Sequence, residues 1–486
     1  MQSKKSSRKS ATGPRPTSVD GDTPLMKEWA PELQLDGTTK YAAVAAALEK
    51  GIQDGHLKPG MRLPPQRDIA DYFNVTIATV TKAIGLATRR GLVHARAGSG
   101  TFIAQDTRDT EVVPAPGAVF GHDLSLNAPP LSVVSDILQE NLKELWTDHS
   151  ASQFFDYEPI PGGRVHRLAA SRWLALRGLN AQPDNILVTH GAHEGLLACL
   201  AALTKPGDVV LCERLNYTGL RRIGHLLRIR LVGVEVDHDG LLADALPALV
   251  AQLQPKAIVC TPITQNPTTA TLSDSRRSAL VSVARNAGIP IIEDDIYGHF
   301  AGHRHSPLAA IWPEGVILVT SLSKVIASGL RVGYVLAAPS LLPRIIDAMF
   351  MLGWTAPLAQ MTFATKLIES GRAEQCIAMH REEAGQRMRL AQSILGANLR
   401  TSFDVPAYHA WIDTAQTRLE DITSELYRQG IQISPASHFL IGDGSVPPAI
   451  RVSLGRVVDA SALEAPLGLI AHRLSVSRGA ALGSIA

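Results

Sequence analysis

Six short apolar runs in this chain lack the alternation of a half-buried strand. They read NILVTHG from residue 185, DVVLCERL from 208, KAIVCTP from 256, IPIIEDD from 289, GVILVTS from 315 and GLRVGYVLA from 329. A strand covered on one face alternates apolar and polar residues; a strand covered on both faces is apolar almost throughout. Helical stretches fall between several of the runs. The pattern predicts an α/β domain around a largely parallel sheet. Near the end, DVPAYHAWIDT, a helical stretch, GIQISP and AIRVSLG predict a smaller α+β lobe. A chain of 486 residues holds such a core and a further small module besides.

The small module sits in front. YAAVAAALEKGI sets Tyr41, Val44, Ala45, Leu48 and Ile52 on one helical face. A turn-rich break, DGHLKPGMRLP, leads to a short helix, QRDIADYF, and then to a second, TIATVTKAIGLATRRG. Thr76 is placed to cap that second helix. Ile77, Val80, Ile84 and Ala87 are its expected buried stripe, leaving Thr76, Thr79 and Lys82 on another face. GLVHARAGSGTFI reads as a hairpin with a basic turn. Helix, turn, helix and basic hairpin together predict a winged helix-turn-helix.

Charge follows the same division. Residues 37–105 hold nine Lys and Arg against four Asp and Glu, although the whole chain is only +2. A basic front on a mildly acidic body points to double-stranded DNA as a partner of the front. The expected layout is a basic, disordered arm at 1–36, the winged module at 37–105, a Pro/Gly-punctuated linker at 106–122, the large domain at 123–475 and a tail at 476–486. The four cysteines are scattered without metal-ligand spacing, so neither a disulfide framework nor a metal site is expected, and the compartment reads as reducing. With no secretory signal and no spanning stretch, the expected location is the cytoplasm, with no membrane partner.

In an open α/β sheet, ligands bind at the carboxyl ends of strands. The polar residues at those ends form a set. HGAHEG, with Gly191, Ala192 and His193, is a glycine turn opening a helix, a geometry suited to phosphate. Asn266 follows the third run, Asp294 and Tyr297 the fourth, and Ser321, Ser323 and Lys324 the fifth, while Arg331 opens the sixth. One ligand accounts for a lysine, a carboxylate, phenol-directed donors and a phosphate cradle together: pyridoxal 5'-phosphate, with its aldehyde, ring nitrogen, phenolic oxygen and phosphate.

The front resembles the GntR family of winged-helix repressors, through LPPQRDIADYFNVTIATVTKAI and GLVHARAGSGTFI. The back resembles fold-type I, class I aminotransferases, through VTHGAHEGL, TQNPT, DDIY, SLSKVIASGLRVGY and IRVSLG. Together, in this order, they are similar to MocR-type regulators over about residues 37–475. The resemblance implies that Lys324 forms the cofactor's Schiff base and is the catalytic residue. It pairs Asp294 with the ring nitrogen and sets Asn266 and Tyr297 on the phenolic oxygen. Ser321, Ser323, Arg331 and the amides of Gly191, Ala192 and His193 hold the phosphate. Tyr217 stacks on the ring, and Arg451 grips an effector carboxylate. Two positions depart from the family pattern: His193 stands where Gln or a small polar residue is common, and Ile77 where many relatives carry arginine. The second departure shifts the expected DNA contacts onto Arg67, Thr76, Thr79, Lys82 and Arg96.

Two functions follow from the resemblance. In one, the chain is a cytoplasmic regulator that binds operator DNA as a head-to-tail homodimer and senses an amine or amino acid through an external aldimine. In the other it is a working aminotransferase with an accessory DNA-binding domain. A weaker third reading leaves the winged helix to dimerisation alone.

Overall fold

A computed structural model describes residues 40–53, 56–58, 61–89, 92–96, 100–103, 121–148, 154–414, 419–442 and 444–483. The expected arm at 1–36 and nearly all of the expected linker lie outside the described residues. The chain divides into two compact units, residues 1–110 and 111–486.

In the first unit, helix α1 (Lys40–Gln53) precedes α2 (Gln66–Tyr72) and α3 (Ile77–Arg89), and strands β1 (Val93–Arg96) and β2 (Gly100–Ile103) form an antiparallel hairpin. This is a winged helix-turn-helix. Val44, Ala45 and Leu48 of α1 pack with Ile69 of α2, with Val80, Ala83, Ile84 and Ala87 of α3, and with Ile103 of the wing. Thr76 caps α3, its hydroxyl accepting the Thr79 N–H at 3.2 Å. Two apolar residues depart from expectation. Tyr41 is 36% exposed at the start of α1, and Ile77 is 52% exposed at the start of α3. Helical residues advance about 100° each, so Ile77 stands about 60° round from Val80, at the margin of the stripe. It also has no preceding helical turn to pack beside.

The first described strand of the second unit is β3 (His122–Asp123). The unit's main sheet has seven strands: β4 (Ile186–Thr189), β5 (Val209–Glu213), β6 (Arg230–Val234), β7 (Ala257–Cys260), β8 (Ile291–Asp294), β9 (Val316–Ser321) and β10 (Gly333–Leu336), in the spatial order β4-β10-β9-β8-β7-β5-β6. Only β10 runs antiparallel to its neighbours. Strand β6, an edge strand, is an addition to the six apolar runs; its RLVGV begins on an exposed arginine and carries a glycine. The unalternating apolar pattern has a direct cause. Along β9, Val316 and Leu318 enter one core and Ile317 and Val319 the other. Helix Arg164–Ala175 covers the first face with Ala169, Ala170, Trp173 and Leu174, and helix Ala192–Leu203 covers the second with Leu196, Cys199 and Leu200. All four cysteines are buried and unbonded.

The smaller lobe holds β11 (His409–Asp413), β12 (Ile431–Gln432), β13 (Ser434–Pro435) and β14 (Ala449–Ser453), with β14 central in an antiparallel sheet between β11 and β13. Strand β3, the first described after the linker, pairs in parallel with β12 of this lobe. Helix Glu464–Gly483 closes the lobe and continues through residues expected to lie in the tail.

Candidate functional site

The antiparallel course of β10 brings the start of that strand to the edge where the parallel strands end. Gly191, Tyr217, Asn266, Asp294, Ser321, Lys324 and Arg331 therefore converge on one rim of the sheet. Arg331 itself sits two residues before β10, in a left-handed turn at φ 50°, rather than in the strand.

Asp294 ends β8 fully buried, and its Oδ1 has no hydrogen-bond partner. Burial, and after it Glu213 and Asp295, push its carboxyl up to about 8 against the opposing charge of Lys324. Glu213 is equally buried and pushed up to about 7 by desolvation, with its oxygens accepting the Thr261 N–H at 2.6 Å and the Asn216 amide at 2.7 Å. Asp295 faces the other way, in a two-pronged pair with the buried Arg177 at 2.8 and 3.2 Å, and is structural. A buried carboxyl with an open oxygen, short of positive charge, matches what a protonated ring nitrogen requires.

The phosphate-like end rests on glycine. Gly191 caps helix Ala192–Leu203 at φ 82°, and a Cβ there would lie 2.9 Å from Nη2 of Arg331. A Cβ on Gly333 would meet Gly191 C at 2.7 Å and Ala192 N at 2.9 Å. Two glycines thus let Arg331 and the helix N-terminus close on the same spot. Arg331 donates to the His190 carbonyl at 3.2 Å. The Ser323 hydroxyl is buried without a partner, and Ser321 accepts the Ser323 N–H at 3.4 Å. His193, the second residue of the helix, has its ring pKa lowered by burial and then by Arg331 and Arg222; its Nδ1 has no hydrogen-bond partner. Its ring meets that of Tyr217 edge-on at 6.0 Å.

The opposite end is a polar network that the motifs did not reveal. Lys324 Nζ donates to the Asn127 carbonyl at 2.5 Å. The Asn127 amide donates to the Tyr297 hydroxyl at 2.7 Å and to His409 Nδ1 at 3.1 Å, and the other ring nitrogen of His409 lies 3.3 Å from the Gln265 carbonyl. Arg451 donates to Asn266 Oδ1 at 3.1 Å, to Ser434 Oγ at 3.3 Å and to the Ser125 carbonyl, and lies 4.9 Å from the centre of the Phe439 ring. Ser125 and Asn127 come from the irregular segment after β3, where no motif marks them. His409 carried one overlooked signal, a histidine inside an apolar strand.

These groups fit pyridoxal phosphate: Lys324 for the aldehyde, Asp294 for the ring nitrogen, Tyr297 and Asn266 for the phenolic oxygen, and the Gly191 cradle with Arg331, Ser321 and Ser323 for the phosphate. Among the described residues no cluster of His, Cys, Asp or Glu is arranged to hold a metal ion.

In the first unit, Arg67 and Lys82 are exposed on α2 and α3, Thr76 is exposed and Thr79 half-buried. Arg96 ends β1, but its side chain lies outside the described residues. The exposed Arg62, which the sequence reading passed over, crosses the wing at Gly100, where a Cβ would stand 2.9 Å from its Nε.

Residues 121–465 match the family "Aminotransferase class I and II". The chain belongs to that family. Ahead of the aminotransferase domain, residues 40–103 match "Bacterial regulatory proteins, gntR family". The HTH-type transcriptional regulator YdeF of Bacillus subtilis (strain 168) is 28% identical over 88% of this chain and 92% of its own. The HTH-type pyridoxine biosynthesis transcriptional regulator PdxR of Corynebacterium glutamicum is 29% identical over 59% of this chain and 63% of its own. Among solved structures, an archaeal alanine:glyoxylate aminotransferase superposes with a TM-score of 0.67 at 25% identity, over 74% of this chain and 92% of its own. A GntR-type head on an aminotransferase body is the arrangement of MocR-type regulators. Members of the aminotransferase family use pyridoxal phosphate. Among the described residues no helix is long and apolar enough to cross a membrane.

Proposed function

We propose that this protein is a pyridoxal-phosphate-dependent transcriptional regulator whose aminotransferase-like domain senses an amine or amino acid. One observation carries the reading: a winged helix-turn-helix and an aminotransferase-family domain occupy one chain, and 88% of that chain aligns with a relative named a transcriptional regulator. An ordinary aminotransferase has no use for the winged module.

Pyridoxal phosphate supplies, when bound, an aldehyde that condenses reversibly with amines and a ring that withdraws electrons. The chain's residues do the rest. Arg331, Ser321, Ser323 and the amides at Gly191, Ala192 and His193 anchor a phosphate. Asp294, ionised once a cation faces it, holds the ring nitrogen's proton. Tyr297 and Asn266 direct a phenolic oxygen, and the Tyr217 ring flanks the site. Lys324 is the chain's own amine and its proton carrier. Arg451 offers a planar two-pronged donor to an effector carboxylate, in exchange for the Ser125 carbonyl and the Ser434 hydroxyl. That exchange frees Ser125 in the segment leading back through β3 to the linker, and so couples effector to head.

The head's partner is promoter DNA, and a cytoplasmic location goes with that reading. Arg67, Thr76, Thr79, Lys82 and Arg96 are its proposed contacts. A head-to-tail homodimer completes the reading. An apolar cavity of about 420 Å³ beside the exposed Leu131, Leu142, Trp146 and Phe155 supports self-association of the large domain.

The test follows the absorbance of the cofactor-loaded chain during addition of a panel of amines and amino acids, without keto acid, with promoter DNA affinity measured alongside. A compound that shifts the spectrum lastingly and changes DNA affinity supports the sensor. Transfer of the amino group to the cofactor, reversed by a keto acid and without effect on DNA affinity, favours the aminotransferase reading.

A further inference from the structure

Ile77 belongs, by sequence spacing, with the buried stripe of α3, yet 52% of it is exposed. It is the first residue of the helix, the end that meets base edges in a helix-turn-helix complex. Its neighbours explain why it matters there. The hydroxyls of Thr76 and Thr79 are bonded to each other at 2.9 Å. The Thr81 hydroxyl, one turn on from Ile77, donates to Gln66 Oε1 at 2.8 Å and to the Ile77 carbonyl at 3.0 Å. The first turn has therefore engaged its hydroxyls with one another, which leaves Thr76 and Thr79 suited to phosphates rather than to a base edge. Its foremost exposed side chains are the apolar Ile77 and Ala78. The charges stand to the side: Arg67 on α2 and Lys82 a turn later are both exposed, placed for phosphates rather than for a base.

The major groove of DNA displays one apolar group, the C5-methyl of thymine, and apolar side chains read it by contact. We propose that Ile77 packs on a thymine methyl in the operator and sets an A·T preference at that position. The inference rests on the DNA-binding reading above and adds to it a base and the residue that reads it. An arginine at this position would select guanine instead, through its two acceptors.

The test uses the full, cofactor-loaded chain. A binding sequence is first selected from random duplexes, and each thymine in it is then replaced by deoxyuridine, which removes the methyl and nothing else. At the contacted thymine the native protein is expected to lose about fourfold in affinity, the worth of one buried methyl-sized group. Ile77→Ala, an exposed substitution that leaves the core untouched, is expected to bind native and uracil-containing duplexes equally. Ile77→Arg is expected to move the selected base to guanine. The inference is overturned if no uracil substitution weakens the native protein, or if Ile77→Ala suffers the same loss. Failure to select any duplex would instead overturn the DNA-binding reading itself, and this inference with it.

Discussion

The side-chain amide of Asn127 donates to the hydroxyl of Tyr297, 170 residues along the chain, at 2.7 Å. The same amide reaches Nδ1 of His409, 282 residues away, at 3.1 Å. An amide nitrogen only donates, so Nδ1 accepts and the ring proton sits on Nε2, facing the Gln265 carbonyl. Burial, then the nearby Arg451, lowers the His409 pKa to about 3, consistent with that neutral ring. One asparagine thus joins the segment after β3, the large domain and the small lobe. Asn127→Asp keeps the shape but sets an acceptor against the His409 Nδ1 acceptor and forces the Tyr297 hydroxyl to turn its proton. It is expected to destabilise the protein by about 1–3 kcal/mol for each buried group left unsatisfied, read by denaturant unfolding, and to shift the cofactor absorbance through Tyr297. A variant with native stability and spectrum would show that Asn127 only fills space.

Lys324→Ala is expected to fold, because the residue lies at a strand-end turn rather than in either core, and to purify without the absorbance band of a lysine-bound cofactor. The measurement is the visible spectrum beside the far-ultraviolet circular dichroism. An unchanged band would move the covalent attachment to another amine.

Asp294 gives a pH dependence. Its carboxyl is raised from 3.8 to about 8 in the folded chain, chiefly by burial. Between those values the cofactor-free folded state keeps a proton that the unfolded state has lost. Stability from this group therefore falls as pH rises from about 4 to about 8 and levels off above. Asp294→Asn is expected to flatten that slope, seen in denaturant midpoints across the range. Cofactor binding is expected to flatten it too, since a ring cation favours the ionised carboxylate. A slope identical in the variant would place its origin elsewhere.

Gly191 holds φ 82° with ψ 167°, a region essentially reserved for glycine. Gly191→Ala brings about 1–3 kcal/mol of backbone strain and a methyl against the Arg331 guanidinium. Affinity for pyridoxal phosphate is expected to fall on the order of tenfold or more, while affinity for unphosphorylated pyridoxal changes little. Equal losses for both ligands would mean that the glycine serves the fold and not the phosphate.

The gathering of Lys324, Asp294 and Arg331 at one rim of the sheet was legible because apolar runs covered on both faces end abruptly, and a charge just beyond such a run has few structural reasons to be there. Asn127 and His409 were not legible. Their meaning lies in a meeting of segments hundreds of residues apart, and no spacing encodes it. Ile77 shows another limit. Helical periodicity assigns a face only where a neighbouring element runs alongside, and at the first residue of α3 none does. The edge strand β6 was hidden by its exposed arginine and its glycine, which a central strand would exclude.

The winged unit gives the last prediction. Arg67 and Lys82 are exposed, carry charge and take no part in the buried cluster of Val44, Leu48, Ile69 and Val80. Removing either should leave folding and the cofactor spectrum alone. If each neutralises one phosphate, Arg67→Ala and Lys82→Ala should each weaken operator binding across sequences and lower the slope of log affinity against log salt by about 1. A loss confined to one base sequence would make the residue a base reader instead. Unaltered affinity and slope in both variants would mean that α2 and α3 do not face DNA through these side chains. With Ile77 also silent, the winged unit would then serve assembly rather than promoter binding.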